Sequence, residues 1–144
     1  MADPVATARS VLQRNRRDGY TIPSPKLYPY QWNWDSGFIA VGLSTVDAEA
    51  ATTELTRLFE GTWADGMLPH ILFHDESATG YFPGPEEWDT RTEGGLATSG
   101  ITQPPFAVTA ARIVYERTGS EAFLDAVLPA IRRYLSWWVD QRSF

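Results

Sequence analysis

The chain has 144 residues, of which 43% are hydrophobic and 21% are charged, a composition typical of a globular segment. Its net charge of -6 and pI of about 4.8 argue against nucleic acid or an anionic membrane surface as a partner, because both reward clustered lysine and arginine. The chain has no cysteine, which excludes a disulfide framework and a thiolate metal site.

The first 61 residues predict three helices, which begin after Asp3, near Ser36 and after Asp47. Asp3 and Asp47 are favourable N-caps, and Pro4 suits the first turn of the first helix. We expect that helix to fray before Gly19, and the third helix to end at Gly61. The N-terminal segment has arginines but no apolar run, and no segment approaches the ~20 apolar residues of a membrane span, so we expect a cytoplasmic protein.

A long irregular segment follows. Residues 62–102 are rich in glycine and proline and lack helical periodicity. Only Met67–Phe73 shows a weak alternation of apolar and polar residues, which suggests a strand.

Helical patterns return at the end of the chain. A helix is predicted to start near the sequence Gln103-Pro104-Pro105, because proline is tolerated in a first turn, and to end at Gly119. Ser120 can cap a last helical region. Pro129 predicts an interruption of that region, with a separate helix starting near residues 127–128.

The stretch from Tyr28 to Phe38 is the most informative part of the sequence. Its five aromatic rings surround the carboxylate of Asp35. Aromatic faces stack on the C–H faces of sugar rings, and carboxylates and amides bind sugar hydroxyls, so this mixture suits a small carbohydrate site. The six tryptophans of the chain favour either such a cleft or an aromatic core.

Four short segments, in the expected order, resemble glycoside hydrolase family 63 and its relatives. The sequence from Gln31 to Phe38 matches the motif Q-W-x-W-D-x-x-F, and three later segments resemble the family's G-x-x-P-H-I stretch, its aromatic loop and its glutamine segment. These three lie at residues 66–71, 81–88 and 99–105. The resemblance is greatest to the bacterial mannosylglycerate and glucosylglycerate hydrolases.

The resemblance implies an all-α fold, the (α/α)6 toroid of six helical hairpins. Twelve helices with short connections need roughly 190 residues, which is more than this chain has. We therefore expect about five helices with long loops and an incomplete barrel. On this interpretation residues 1–144 are the N-terminal portion of a single catalytic domain, truncated at the C-terminus.

The chemistry of the aromatic stretch and the resemblance together predict the residues that bind the sugar. They are Tyr28, Trp32, Trp34, Asp35, Tyr81, Trp88 and Gln103. For five of these residues a structural role is the alternative, and Tyr28 and Trp32 could be plain core aromatics. Asp35 could be an N-cap, Trp34 could pack under its loop, and Gln103 could simply start a helix. Phe38, one turn beyond Asp35, is expected in the core.

No metal or cofactor is predicted. His70 and His74 are four residues apart, but Pro69 and the alternating pattern argue against the helix that would place both rings on one face. The order H-E-x-x-H is also absent. We expect His70 to be a packed loop residue with a backbone partner, and the acidic residues between 75 and 93 to lie on a solvated surface.

The family implies an inverting glycosidase acting on a small α-glycoside, with a general acid and a general base. The segment that carries the acid in the family does not occur here, so we assign no catalytic residue and expect the chain alone to be inactive. Trehalase-like or oligosaccharide α-glucosidase specificity remains open on the same scaffold. Arg91 or an array of hydroxyl groups could bind a glycerate carboxylate. A non-catalytic sugar-binding or helical interaction module is the alternative from a different class.

Overall fold

The structure is a computed structural model that describes residues 3–78 and 81–142. In these residues six helices account for most of the regular structure. They are α1 Pro4–Asn15, α2 Asn33–Leu43, α3 Ala48–Phe59, α4 Pro85–Trp88, α5 Phe106–Thr118 and α6 Glu121–Arg142. No helix in this part of the chain combines the length and the hydropathy needed to cross a bilayer.

Helix ends follow the predicted capping residues closely. The Asp3 side chain accepts a hydrogen bond from the Val5 backbone at 3.0 Å, and the Asp47 side chain accepts one from Ala50 at 2.9 Å. Gly119 ends α5 in the left-handed conformation, at φ 64°. Each cap satisfies a backbone group that a helix end leaves unpaired.

The predicted break at Pro129 is wrong, because α6 continues through it as one helix of 22 residues. Buried positions recur at helical spacing on both sides of the proline, from Phe123 and Val127 to Tyr134 and Trp137. Proline removes one backbone hydrogen bond from a helix, and the continuous buried face offsets that loss.

Helices α2, α3, α5 and α6 pack together: α2 contacts α3 and α5, and α3 contacts α6. Its apolar core includes Leu55, Leu58, Val114 and Val127, none of which is exposed. The close approach of α2 and α5 depends on Gly37, where a Cβ atom would lie 2.7 Å from the Phe106 ring.

A small antiparallel sheet was not predicted beyond a possible strand at Met67–Phe73. Its four strands have two residues each: β1 Gln31–Trp32, β2 Ile71–Leu72, β3 Thr90–Arg91 and β4 Ala97–Thr98. Their order is β1-β2-β4-β3, with Trp32 opposite Ile71. Strands this short have no readable alternation, so the sequence pattern could not reveal them. The sheet joins the motif around Trp32 to the long irregular segment.

Two further expectations for α2 are corrected. The helix begins at Asn33, so Asp35 is its third residue and Trp32 occupies the N-cap. Phe38 is 50% exposed rather than buried, because the buried face of α2 consists of Asn33, Ser36, Gly37, Ala40 and Leu43.

Candidate functional site

A continuous series of ring contacts lies against the small sheet. Trp32 meets Tyr28 edge-on with ring centroids 5.2 Å apart, and meets Tyr81 edge-on at 5.1 Å. Trp32 also contacts His70 at 5.2 Å, and His70 contacts Trp88 at 5.7 Å. The structure therefore brings together four of the sequence-predicted aromatic residues, and adds His70 between two of them.

Exposure differs sharply along this series. Tyr28 is 44% exposed, whereas Trp32 is only 8% exposed. The Trp32 indole nitrogen is buried and has no hydrogen-bond partner among the described residues. An indole N–H usually finds an acceptor when buried, so this unpaired donor is a polar group that the folded chain buries at a cost.

Trp34 lies outside this series. Its ring contacts Phe38 at 5.5 Å and Phe106 at 6.1 Å, and Phe38 stacks on Phe106 at 4.1 Å. Trp34 is 38% exposed, so it does not pack under the loop as the structural alternative proposed. Trp34 therefore belongs to a second group of ring contacts, separate from the series around Trp32.

Asp35 is half-buried in the first turn of α2, and burial raises the pKa of its carboxyl group. Its own backbone N–H opposes that shift. No other residue in the ranges 3–78 and 81–142 donates a hydrogen bond to this carboxylate. Its oxygen atoms therefore remain free to accept hydrogen bonds from a ligand, and the positive end of the helix favours their charge.

Gln103 links two distant parts of the chain at this site. Its Oε1 atom accepts a hydrogen bond from the backbone N–H of Trp34 at 2.8 Å. Because the N-cap residue of α2 makes no side-chain cap, Gln103 supplies that cap from 69 residues away. The bond fixes the position of Oε1, and therefore the direction in which the side-chain N–H groups of Gln103 point.

Sequence reasoning missed the buried polar side chains beside the motif. Asn33 is fully buried, and its side chain donates to the backbone carbonyls of Leu68 and Pro69. Gln31 and Glu54 are fully buried as well, and they hydrogen-bond to each other. The amides stand inside the recognised motif, but nothing local to the sequence indicates that they face inward. Glu54 lies in a helix that carries no motif.

The two histidines occupy separate environments. The His70 ring hydrogen-bonds to the Ser99 hydroxyl, and His74 Nε2 lies 2.7 Å from Gln31 Oε1. Burial lowers the pKa of each to about 4, so both are neutral at neutral pH. The packed position and the backbone partner expected for His70 are confirmed, because the residue is buried and hydrogen-bonds to the Ile101 backbone; the Ser99 hydroxyl is a second partner. Within residues 3–78 and 81–142, no cluster of three or more histidine and acidic side chains could hold a metal ion.

The acidic loop is exposed, as expected. Arg91 makes a two-pronged ion pair with Glu76, each bond 2.8 Å long. The pair lowers the pKa of Glu76 and occupies the guanidinium that could have met a glycerate carboxylate.

A family model described as the mannosylglycerate hydrolase MGH1-like glycoside hydrolase domain matches residues 28–144. The chain belongs to this family. The match begins at Tyr28 and therefore includes every predicted site residue.

Two curated members of the MGH1-like family illustrate the similarity. A mannosylglycerate hydrolase of Thermus thermophilus is 54% identical over 141 residues, covering 94% of this chain and 34% of the relative. A glucosylglycerate hydrolase of Mycolicibacterium hassiacum is 38% identical over 152 residues, covering 96% and 34%. The chain spans about a third of the length of the curated relatives it matches.

Solved structures of the family agree. The family 63 mannosylglycerate hydrolase of Thermus thermophilus with Tris and D-glycerate has a TM-score of 0.86 and 44% identity, covering 97% of this chain and 34% of that one. The same enzyme with glucose has a TM-score of 0.79 and 44% identity, covering 98% and 34%. The helical fold of this chain is therefore shared with these family 63 structures.

Proposed function

We propose that this chain supplies the sugar-binding part of an inverting glycoside hydrolase that acts on a small α-glycoside such as mannosylglycerate or glucosylglycerate. The observation that carries the proposal is the series of ring contacts around Trp32, beside a half-buried Asp35 whose oxygens are free. The similar Thermus enzyme was solved with glucose and with D-glycerate, the kinds of product that such a hydrolase releases.

The rings provide the apolar contact with the sugar. Tyr28 and Trp34 are exposed enough to present a ring face, whereas Trp32 is buried and contacts Tyr28 edge-on. Tyr81 and Trp88 border the same cluster. In this arrangement a pyranose ring stacks on an exposed ring face, and Trp32 supports the Tyr28 ring through their edge-on contact.

Asp35 provides the polar anchor. A carboxylate accepts hydrogen bonds from two neighbouring sugar hydroxyls, and partial burial strengthens such bonds by lowering the local dielectric constant. Gln103 holds the N-terminus of α2 through Trp34 and adds amide donors nearby. A hydrogen bond that strengthens as the sugar approaches its transition state lowers the barrier to cleavage.

Cleavage with inversion needs two more carboxyl groups. A general acid protonates the leaving oxygen and a general base activates water, across a gap of about 6.5–9.5 Å that holds the water molecule. We propose that both groups lie outside this chain, in the remainder of an (α/α)6 toroid of which these helices are the first part. The chain alone then binds sugar and does not hydrolyse it.

A chimera tests the proposal. In the Thermus mannosylglycerate hydrolase, the matching third is replaced by this chain, and hydrolysis of mannosylglycerate, glucosylglycerate, trehalose and a maltooligosaccharide is measured. We expect the chimera to hydrolyse mannosylglycerate and glucosylglycerate. A chimera that carries Asp35→Asn should fold normally but lose this activity. An exposed substitution, Glu49→Gln, is the control.

The same experiment separates the alternatives. Preference for trehalose or the maltooligosaccharide would reassign the specificity. A folded but inactive chimera, with saturable glucose binding to the isolated chain, would favour the non-catalytic sugar-binding module. Full activity of Asp35→Asn would contradict the role of Asp35.

A further inference from the structure

One buried carboxyl group contacts the aromatic stretch at two places, on either side of the segment Trp32–Asp35. Glu54, in the middle of α3, is fully buried. Its Oε1 atom accepts a hydrogen bond from the Ser36 hydroxyl at 2.6 Å and another from Gln31 Nε2 at 3.2 Å. Gln31 precedes Trp32 directly and Ser36 follows Asp35 directly, so a single oxygen atom connects the residues that flank the segment Trp32–Asp35.

Further bonds make this connection more rigid. Gln31 Nε2 also donates to the backbone carbonyl of Glu54 at 3.1 Å, and Gln31 Oε1 lies 2.7 Å from His74 Nε2. His74 packs against Tyr20 with ring centroids 4.4 Å apart. Both polar ends of the Gln31 side chain are therefore engaged, and β1 cannot rotate its side chains without breaking them.

A carboxyl group at this position is costly for stability. Burial raises the pKa of Glu54 to about 7, although Ser36, Thr21, Gln31 and the charge of Arg16 act in the opposite direction. Its Oε2 atom has no partner of normal hydrogen-bond geometry in the described residues, even though the Thr21 hydroxyl is close enough to lower the pKa. A leucine would fill similar volume in the layer between α2 and α3 without this desolvation cost. Stability alone therefore does not explain the residue.

We propose that Glu54 is a positioning residue, which fixes the segment Trp32–Asp35 through Gln31 and Ser36 and so sets the direction in which the Asp35 carboxylate faces the sugar. The consequence for sugar binding rests on the proposed function. The positioning itself can be measured without any sugar.

The experiment compares the 144-residue chain with its Glu54→Leu and Glu54→Gln variants by two-dimensional NMR of the backbone amides and tryptophan indoles. Leucine removes both hydrogen bonds to Oε1. Glutamine retains an oxygen that can accept them. Leu58→Val, at a buried position one turn further along α3, is the matched control for a change in the helical core.

We expect Glu54→Leu to shift the signals of residues 31–36 and the Trp32 and Trp34 indoles, while the Trp137 and Trp138 indoles stay in place. Glu54→Gln should restore the wild-type positions, and Leu58→Val should leave residues 31–36 unchanged. Wild-type signals for residues 31–36 in a folded Glu54→Leu chain would overturn the proposal, and so would an equal shift caused by Leu58→Val.

If Glu54→Leu does not fold, Ser36→Ala removes one of the two bonds to Oε1 and leaves Glu54 itself unchanged. It should shift Trp34 and Asp35, and the absence of such a shift would overturn the proposal.

A glucose titration then separates this inference from the proposed function. We expect Glu54→Leu to weaken glucose binding roughly tenfold, which corresponds to the loss of about one net hydrogen bond, and Glu54→Gln to bind like the wild type. If neither the wild type nor the variants bind glucose, but the NMR signals of Glu54→Leu move as expected, the positioning role holds and the proposed function fails. If glucose binds equally to all variants, Glu54 does not position the site.

Discussion

The helical core and the aromatic site are held together in different ways. In the core, fully buried residues such as Leu55, Leu58 and Val127 are apolar, and any well-filled arrangement of similar side chains would stabilise it. Around the site, rings alternate with buried polar groups, among them His70 and Ser99, whose hydrogen bonds fix direction. The core therefore determines how stable the protein is, and the polar contacts determine which way the site faces.

The largest expected effect is in the core. Leu58→Ala should lower the free energy of unfolding by about 2–5 kcal/mol, because it removes buried methyl groups and leaves a cavity. Urea denaturation gives this value. Because the helical core and the aromatic site are held separately, the NMR signals of the Trp32 and Trp34 indoles should stay in place in folded Leu58→Ala. A loss below 1 kcal/mol would show that the core collapses around the gap.

The pH dependence of stability isolates the buried carboxyl group. The pKa of Glu54 is raised from 4.5 to about 7 in the folded chain, so its contribution to stability is complete below pH 4.5 and is lost as the pH rises through 7. Glu54→Gln cannot lose a proton there. Relative to the wild type, it should gain a few kcal/mol in free energy of unfolding between pH 4.5 and 8.

Chemical denaturation at pH 5 and pH 8 checks this difference. The pKa values of His70 and His74 are lowered to about 4, so both histidines add stability that is present above pH 6.5 and lost as the pH falls through 4. The contribution of the histidines is the same in the wild type and in Glu54→Gln, so it cancels when the two are compared. Parallel curves for the two chains would show that Glu54 keeps an ordinary pKa.

A smaller effect is expected at the remote helix cap. Gln103→Ala removes the acceptor of the Trp34 backbone N–H and should cost about 1 kcal/mol of stability, as lost caps usually do. Thermal unfolding of this variant can be compared with Gln13→Ala, an exposed position of α1. Equal unfolding midpoints for the two variants would contradict the capping role.

The smallest effect is expected at the exposed ion pair. Because Arg91 and Glu76 are solvent-exposed, Arg91→Ala should leave the unfolding midpoint unchanged. It should also leave binding of D-glycerate unchanged, since the guanidinium is already engaged by Glu76. Loss of D-glycerate binding in Arg91→Ala, but not in Glu76→Gln, would reinstate Arg91 as the carboxylate-binding residue.

The sequence predicted what depends on local interactions. Caps such as Asp3 and Asp47 act within three residues, and the family motif identified the aromatic stretch directly. The misses depend on distant contacts. Pro129 stays helical because its buried face is continuous, and the N-terminus of α2 is capped by Gln103 from 69 residues away rather than by Asp35. The connection of Gln31 and Ser36 through Glu54 was invisible for the same reason.

Glucose titration of the labelled chain, followed through its six tryptophan indoles, tests the central claim most directly. The account predicts saturable shifts of the Trp32 and Trp34 indole signals, no shift of Trp137 and Trp138, and loss of saturation in Asp35→Asn. Saturable glucose binding that leaves the Trp32 and Trp34 signals unmoved, or that persists unchanged in Asp35→Asn, would contradict it.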